Sequence, residues 1–281
     1  MKFCYVLLHY KTDEDTTECI RSICKVEKDP LIVVVDNASE NGSIEKVEEE
    51  FQGFSNIHII KNKENIGFAA GNNVGYKYAR NTLNADFIAI SNNDITVVTQ
   101  DFSKRVEEIY EKTGFDVLGP DIISLVDGGH QNPMEESFHS AGEVRKEIKR
   151  YKMLLTISRM GIYDILKSGG KVRTGSARKD IPDAITEGIM LHGSFVIFSP
   201  SFIKKEQIAF REGTFLYVEE AILKHYCDNT GYKMIFAPDI CVRHKEDSAT
   251  NSIRISNRER REFVFRNMIQ SLSVYLKYFN D

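Results

Sequence analysis

Cysteine, proline and long apolar runs are scarce in this chain of 281 residues. The five Cys (Cys4, Cys19, Cys24, Cys227, Cys241) contain no CxxC pair. That spacing argues against a structural zinc site, and the odd count argues against a disulfide framework. They read as reduced, partly buried thiols in a cytosolic protein. Six Pro and 18 Gly are too few for a collagen-like or linker-like chain. No window approaches about 18 consecutive apolar residues, so no transmembrane helix is expected. The opening MKFCYVLLHYKTDED carries one Lys, a short apolar run and then charge. It reads as a first strand and not as a signal peptide.

Familiar α/β machinery is missing too. The first strand-to-helix turn, HYKTDEDT, has no Gly, so the GxGxxG dinucleotide loop is absent where it must sit. There is no GxxxxGK[ST] phosphate loop and no GxSxG nucleophile elbow.

What is present is ordinary globular composition, 42% hydrophobic and 28% charged, in a chain long enough to bury a core unaided. The net charge of −4 is unevenly spread. Residues 142–179 hold eleven Lys/Arg against three Asp/Glu, and residues 241–281 hold eight against five. The rest is therefore strongly acidic. An acidic body with one basic segment argues against general nucleic-acid binding and favours a local anionic partner.

Strand and helix signals alternate through the first 120 residues. Strands are expected at Phe3–Leu8, Leu31–Val35, Asn56–Ile60, Asp86–Ser91 and Asp116–Leu118. Helices are expected at Thr16–Val26, Ser43–Phe51 (Ser43 as N-cap), Ala69–Arg80 and Asp101–Lys112. The continuous run in Leu31–Val35 suits a strand covered on both faces. Alternation of this kind implies a largely parallel sheet with helical crossovers. After Pro120 the pattern breaks. A polar stretch over 121–141 precedes a helix over 143–168 and a loop over 169–186. Regular structure returns at Ile189–Phe198, a helix at Val218–Asp228, a strand at Met234–Phe236 and a basic amphipathic helix at Arg258–Tyr278.

Four clusters carry candidate chemistry. Asp36-Asn37-Ala38-Ser39 ends a buried strand and can read a base or ribose, although the same residues make an ordinary turn. Asn65-Ile66-Gly67 through Gly71-Asn72-Asn73 opens a helix, where small residues admit a phosphate or merely close helix–sheet packing. Asn92-Asn93-Asp94 follows another buried strand. One carboxylate among amides suits a hard cation or, again, a turn. Glu219 and Glu220 open a helix, where they also complement its dipole, and His244 ends the last strand.

The ordered set VVVDNAS, NIGFAAGNN, ISNND, HGSFVIFS, FLYVEE and GYKMIFAPDICVRH resembles the inverting GT-A-type glycosyltransferases of family 2. The closest likeness is to the rhamnosyltransferase-like branch of surface-polysaccharide synthesis. It runs from about Phe3 to His244, and REFVFRN at 261–267 resembles that branch's C-terminal helix. Residues 120–188 are poorly covered. The resemblance implies a GT-A fold over residues 1–255, with a basic acceptor-side insert at about 121–188 and a C-terminal helix at 256–281. It implies a UDP- or dTDP-sugar donor and a glycan or lipid-linked glycan acceptor. Tyr10, Asp36, Asn37, Asn65, Gly67, Gly71, Asn72, Asn92 and Asn93 would contact the donor. Asp94 and His244 would hold Mn²⁺ or Mg²⁺. His192, Gly193, Ser194 and Glu219 would face the acceptor, and Glu220 would be the general base.

Three positions depart from the family pattern. Asn92 replaces an Asp, Glu220 replaces the usual Asp base and calls for a shifted backbone, and Ile222 stands where an acid often follows. They motivate a second reading, a non-catalytic sugar-nucleotide-binding partner in a glycosyltransferase complex. The basic segment, with Leu154, Leu155, Ile162, Ile165 and Leu166 beside Lys171, Arg173, Arg178 and Lys179, suits contact with the inner face of a membrane or a core-facing stripe. The C-terminal helix either adds to that face or packs a homodimer.

Overall fold

The computed structural model describes residues 1–135, 138–163, 180–246 and 256–279. Its centre is one nine-stranded sheet of order β3-β2-β1-β4-β8-β6-β9-β5, with β7 paired to β9. The strands are β1 (Phe3–His9), β2 (Leu31–Asp36), β3 (Ile57–Lys61), β4 (Phe87–Asn92), β5 (Ile95–Val97), β6 (Val117–Ser124), β7 (Thr186–Glu187), β8 (Phe195–Phe198) and β9 (Met234–His244). Strands β1–β4, β6 and β9 share one direction. Strands β5, β7 and β8 oppose it, β8 by inserting antiparallel between β4 and β6. The sheet is thus mixed and mostly parallel.

Both faces are covered. In β2, Ile32 and Val34 pack with Ile20, Ile23 and Val47 of α1 (Asp13–Val26) and α2 (Ser43–Glu50). Val33 and Val35 point the other way, into the cluster with Ala69, Tyr76 and Ala79 of α3 (Phe68–Asn81). The strand period of two divides one apolar run between two cores. Helix α4 (Phe102–Thr113) adds Phe102, Val106 and Ile109 to the first core.

Helix α3 lies very close to the sheet. A Cβ on Gly71 would stand 2.7 Å from Leu8 Cδ1, and one on Gly75 would collide with Val6 and Val35. Both glycines therefore serve packing.

A third cluster joins the C-terminal half. Helix α5 (Ala141–Arg159) supplies Val144, Ile148 and Tyr151. Helix α7 (Glu219–Thr230) supplies Ala221 and Ile222, and α8 (Asn257–Tyr275) supplies Met268, Leu272 and Tyr275. Ile222 is 1% exposed, so the position that departs from the family's acid is a core position here. The C-terminal helix packs within its own chain. Arg258 donates to the Arg159 carbonyl at 2.7 Å and to Glu262 at 2.9 Å, and Arg261 stacks 4.1 Å from the Tyr163 ring.

Several expectations shift. Ser43 is the first residue of α2 and not its cap; Gly42, at φ +77°, is the cap. The Ser43 hydroxyl instead lies 2.8 Å from His9 Nε2. Pro120 does not end regular structure, because β6 runs on to Ser124. Strand β9 has 11 residues rather than three. A register shift between Pro120 and Asp121 lets two proline-bearing strands stay paired, because a bulge absorbs a residue that cannot donate. Helix α5 stops at Arg159, ahead of Gly161 at φ +77°. Over 189–198 only Phe195–Phe198 is strand. Strands β5 and β7 and the short helix α6 (Pro200–Lys205) had no sequence signal of their own. Ile165, Leu166, Lys171, Arg173, Arg178 and Lys179 lie outside the described residues. Of the other apolar residues in that set, Leu155 is buried, Leu154 half-buried and Ile162 exposed.

Candidate active site

Parallel strands of equal phase end together, and here their ends carry the polar clusters. His9 of β1 is in register with Asp36 of β2, and Leu8 with Asn92 of β4. Asp36 is buried and accepts the Ser39 hydroxyl at 2.5 Å and the Ser39 N–H at 3.2 Å. The turn is tight: Ala38 and Glu40 both adopt positive φ (60° and 51°). Ser39 Oγ accepts the Lys11 N–H at 2.9 Å, which fixes the turn that carries Tyr10. His9 is buried 4.0 Å from Asp36. Burial lowers its pKa and Asp36 pulls it back.

Asn37 spends its whole amide on the neighbouring loop. It donates to Asn65 Oδ1 (2.9 Å) and the Gly67 carbonyl (3.1 Å), and it accepts from Asn62 and the Ile66 N–H (both 3.2 Å). Gly67, at φ +83°, takes a conformation that favours glycine. A Cβ there would stand 2.5 Å from the Phe215 carbonyl oxygen. Asn37, Asn65 and Gly67 therefore build the loop, and Gly71 packs behind it. Asn72, next along, is fully buried and its Oδ1 has no hydrogen-bond partner.

The residues Asn92-Asn93-Asp94 divide their tasks. The Asn92 N–H donates to the Ser194 carbonyl at 2.8 Å, which joins β4 to the segment before β8. Asn93 donates to Thr12 Oγ1 (2.7 Å) and Thr16 Oγ1 (2.9 Å), tying the turn to the start of α1. Asp94 is left facing His244, with Oδ1 3.2 Å from Nε2 in a geometry that makes no hydrogen bond. His244 Nδ1 is 2.8 Å from Gln131 Oε1. An amide oxygen only accepts, so Nδ1 carries a proton, and Nε2 is the nitrogen that faces Asp94.

This pair passes a test for a divalent cation. Two ligands at right angles on one ion, with bonds of about 2.1 Å, stand about 3.0 Å apart. A buried, orphaned carboxylate oxygen beside an imidazole nitrogen is a donor set such an ion takes, and Gln131 is the outer partner on the far ring nitrogen. Among the described residues no third His, Cys, Asp or Glu joins them, which leaves the remaining positions to ligand oxygens.

The segment His192-Gly193-Ser194 bridges this pair to the acidic pair. The rings of His192 and His244 lie 5.8 Å apart, edge to face. His192 Nδ1 accepts the Ser194 N–H at 3.2 Å, and burial and His244 lower its pKa to about 4, so it stays neutral. Next door, Glu220 packs on Gly193 so tightly that a Cβ there would be 2.6 Å from Oε1. Room for the long Glu220 thus comes from a missing side chain. Burial raises the pKa of Glu220, against hydrogen bonds from its own N–H and that of Gly193. Glu219 is buried as well. Desolvation, and then the charge of Glu220, raise it to about 8, and its Oε1 has no hydrogen-bond partner. Tyr217 and Val218, at φ +72° and +73°, lead into this pair. A β-branched residue in that region is strained, and strain of this kind collects at functional sites.

Glu220 also lines a cavity of about 480 Å³, with Met134, Tyr151, Met190, Val218 and Met268 among its walls. Residues 6–165, more than half of the chain, match glycosyl transferase family 2. The chain belongs to that family. The low-salt glycan biosynthesis hexosyltransferase Agl10 of Haloferax volcanii is 26% identical over 119 residues, 42% of this chain and 36% of Agl10. The match thus spans about a third of that relative's length. S. aureus TarS 1–349 with UDP-GlcNAc has a TM-score of 0.56 at 16% identity, covering 98% of this chain and 66% of that one. GalNAc-T7 with UDP, GalNAc and Mn²⁺ has a TM-score of 0.60 at 13% identity, covering 89% and 45%. At these identities the likeness is one of fold, and the fold is GT-A-like.

For a family 2 glycosyltransferase, sequence reasoning missed Gln131, which lies in the polar stretch after Pro120, and the cavity wall. The Met residues sit on separate elements with no shared spacing. Gln131 belongs to no motif and gave no signal. Among the described residues no helix is long and apolar enough to cross a membrane.

Proposed function

We propose that this chain transfers a hexosyl or rhamnosyl group from a UDP- or dTDP-sugar to a glycan or lipid-linked glycan acceptor, inverting the anomeric carbon. One continuous path of contacts carries the reading: Asp94 to His244, His244 to His192, Gly193 to Glu220, Glu220 to the cavity. It sets a cation-competent pair and a perturbed carboxylate on either side of a three-residue bridge. Asp94 and His244 would hold Mn²⁺ or Mg²⁺, which offsets the charge on a departing nucleoside diphosphate. UDP-GlcNAc in one structure of similar fold, and UDP with Mn²⁺ in another, support this choice.

In this reading the buried Asn72 Oδ1 accepts from the donor, and the Asp36 turn orients its nucleoside. The acceptor enters the cavity with a hydroxyl toward Glu220, which removes the proton as the new bond forms. Neutral His192 donates Nε2–H without adding charge. Most of the acceleration comes from positioning. Attack from the face opposite the leaving group inverts the centre.

A panel of UDP- and dTDP-sugars, each with and without Mn²⁺ or Mg²⁺, tests it. Cation-dependent turnover and an NMR-assigned inverted product are expected. Specific donor binding with no hydrolysis or transfer would favour the non-catalytic partner that Asn92, Glu220 and Ile222 first motivated. A retained configuration would remove Glu220 from its role.

A further inference from the structure

Helix α5 has two unlike faces. Val144, Ile148, Tyr151, Leu155 and Ser158 face the protein. At 100° per residue, Met153 and Met160 fall at the centre of the opposite face. They are two turns apart and 55% and 67% exposed. Lys146 and Lys149 sit on that face beside them, with Arg145, Lys152 and Arg150 at its flanks, all exposed. Arg150 pairs with Glu147, whereas Arg145, Lys146, Lys149 and Lys152 form no ion pair among the described residues. The contrast with α8 is instructive, since Arg258, Arg261 and Arg266 there are spent on intramolecular partners.

A solvated helix face mixes charge signs and has no reason to centre two large apolar side chains. A core stripe would be buried. Apolar residues in the middle with cations on both sides, on a helix about 28 Å long, are what an interfacial helix presents. We propose that the outer face of α5 docks on an anionic lipid surface, with Met153 and Met160 entering the headgroup boundary and Arg145, Lys146, Lys149 and Lys152 pairing with lipid phosphates. The overall charge of −4 opposes such a surface, so only this local cationic face can meet it. The inference rests on the helix alone and stands apart from the proposed transfer reaction. Its geometry puts the cavity, walled by Glu147 and Tyr151 of the same helix, directly behind the docked face.

Co-sedimentation of the full chain with phosphatidylcholine vesicles, with and without phosphatidylglycerol, tests it. Binding is expected only with phosphatidylglycerol and is expected to weaken steeply with salt. The Lys146→Glu/Lys149→Glu/Lys152→Glu variant is expected to lose about a hundredfold in affinity or more, at about fivefold per lysine. A Lys28→Glu/Lys104→Glu/Lys112→Glu variant makes the same change in net charge at exposed positions elsewhere, and it is expected to bind as wild type. Met153→Ser/Met160→Ser is expected to lose about tenfold. Equal losses in the two lysine variants would overturn the proposal, as would full binding by the methionine variant. So would a wild-type dimer that the methionine variant converts to monomer, because the face would then belong to a second copy of this chain.

Discussion

His244 holds its Nε2 3.2 Å from the Asp94 carboxylate because Gln131 occupies its other nitrogen at 2.8 Å. Two acceptors facing each other at that distance need a proton or a cation between them. A cation replacing that proton would meet both side chains already in place.

The first prediction concerns Gln131. Gln131→Leu removes the acceptor that keeps the proton on Nδ1. The Mn²⁺ concentration for half-maximal donor turnover is expected to rise about 10- to 100-fold, with the melting temperature little changed. Asp94→Ala is expected to abolish cation-dependent turnover outright. An unchanged Mn²⁺ requirement in Gln131→Leu would remove Gln131 from the site.

The acidic pair is separable by isosteric change. Glu220→Gln keeps shape but cannot take a proton, and transfer is expected to fall by about 10²-fold or more with donor binding intact. Glu219, with its pKa near 8, is already neutral at pH 7, so Glu219→Gln copies its working form and is expected to keep most activity. A larger loss in Glu219→Gln would reverse the roles.

Glu219 also predicts a pH dependence of stability. Its folded pKa of about 8 lies above the ordinary value of 4.5. Between those limits the folded chain binds a proton that the unfolded chain releases. Stability from this group is full below about pH 4.5 and declines as pH rises through 8. The melting temperature of Glu219→Gln is therefore expected to gain on wild type from pH 5 to pH 9. Parallel curves for the two proteins would show that Glu219 ionises normally.

Gly193 is expected to tolerate nothing larger. A methyl group placed 2.6 Å from Glu220 Oε1 displaces the carboxylate and not the backbone. Gly193→Ala is thus expected to lower kcat tenfold or more while KM for the donor holds. Equal changes in both would indicate a general disturbance of the 192–194 bridge.

The fold was legible where one chemical signal repeats. Ile32 to Val35 announced a doubly covered strand, and helical spacing placed α1, α3 and α4 within a few residues. Legibility failed where pairing depends on distant partners. Strand β9 passes Pro238 because β6 shifts register beside it, which no local propensity encodes. In the site, the carboxylates and His244 stood out as residue types at strand and helix ends. What the sequence hid was their support. Asn37 serves its loop, Asn93 serves α1, and Gln131 orients the imidazole from a segment with no motif. Gly67 and Gly71, where small residues admit a phosphate or close packing, make room for Phe215 and Leu8, and Gly193 makes room for Glu220.

The close approach of Gly67 to the Phe215 carbonyl has a kinetic consequence. Phe68 donates its N–H to the Phe215 carbonyl at 2.7 Å, and Asn73 grips Ala209 and Phe210 through three hydrogen bonds. The loop that delivers Tyr217 and Val218 to the acidic pair therefore hangs from the helix that opens behind Gly67. In the proposed reading, a sugar nucleotide bound beside the 65–72 segment would set the tension on that loop two residues before its strained turn. Substrate order then becomes a property of the tether, with the sugar nucleotide expected first and the acceptor second. Product-inhibition patterns would read that order directly, and cutting the tether with Asn73→Ala should turn an ordered sequence into a random one.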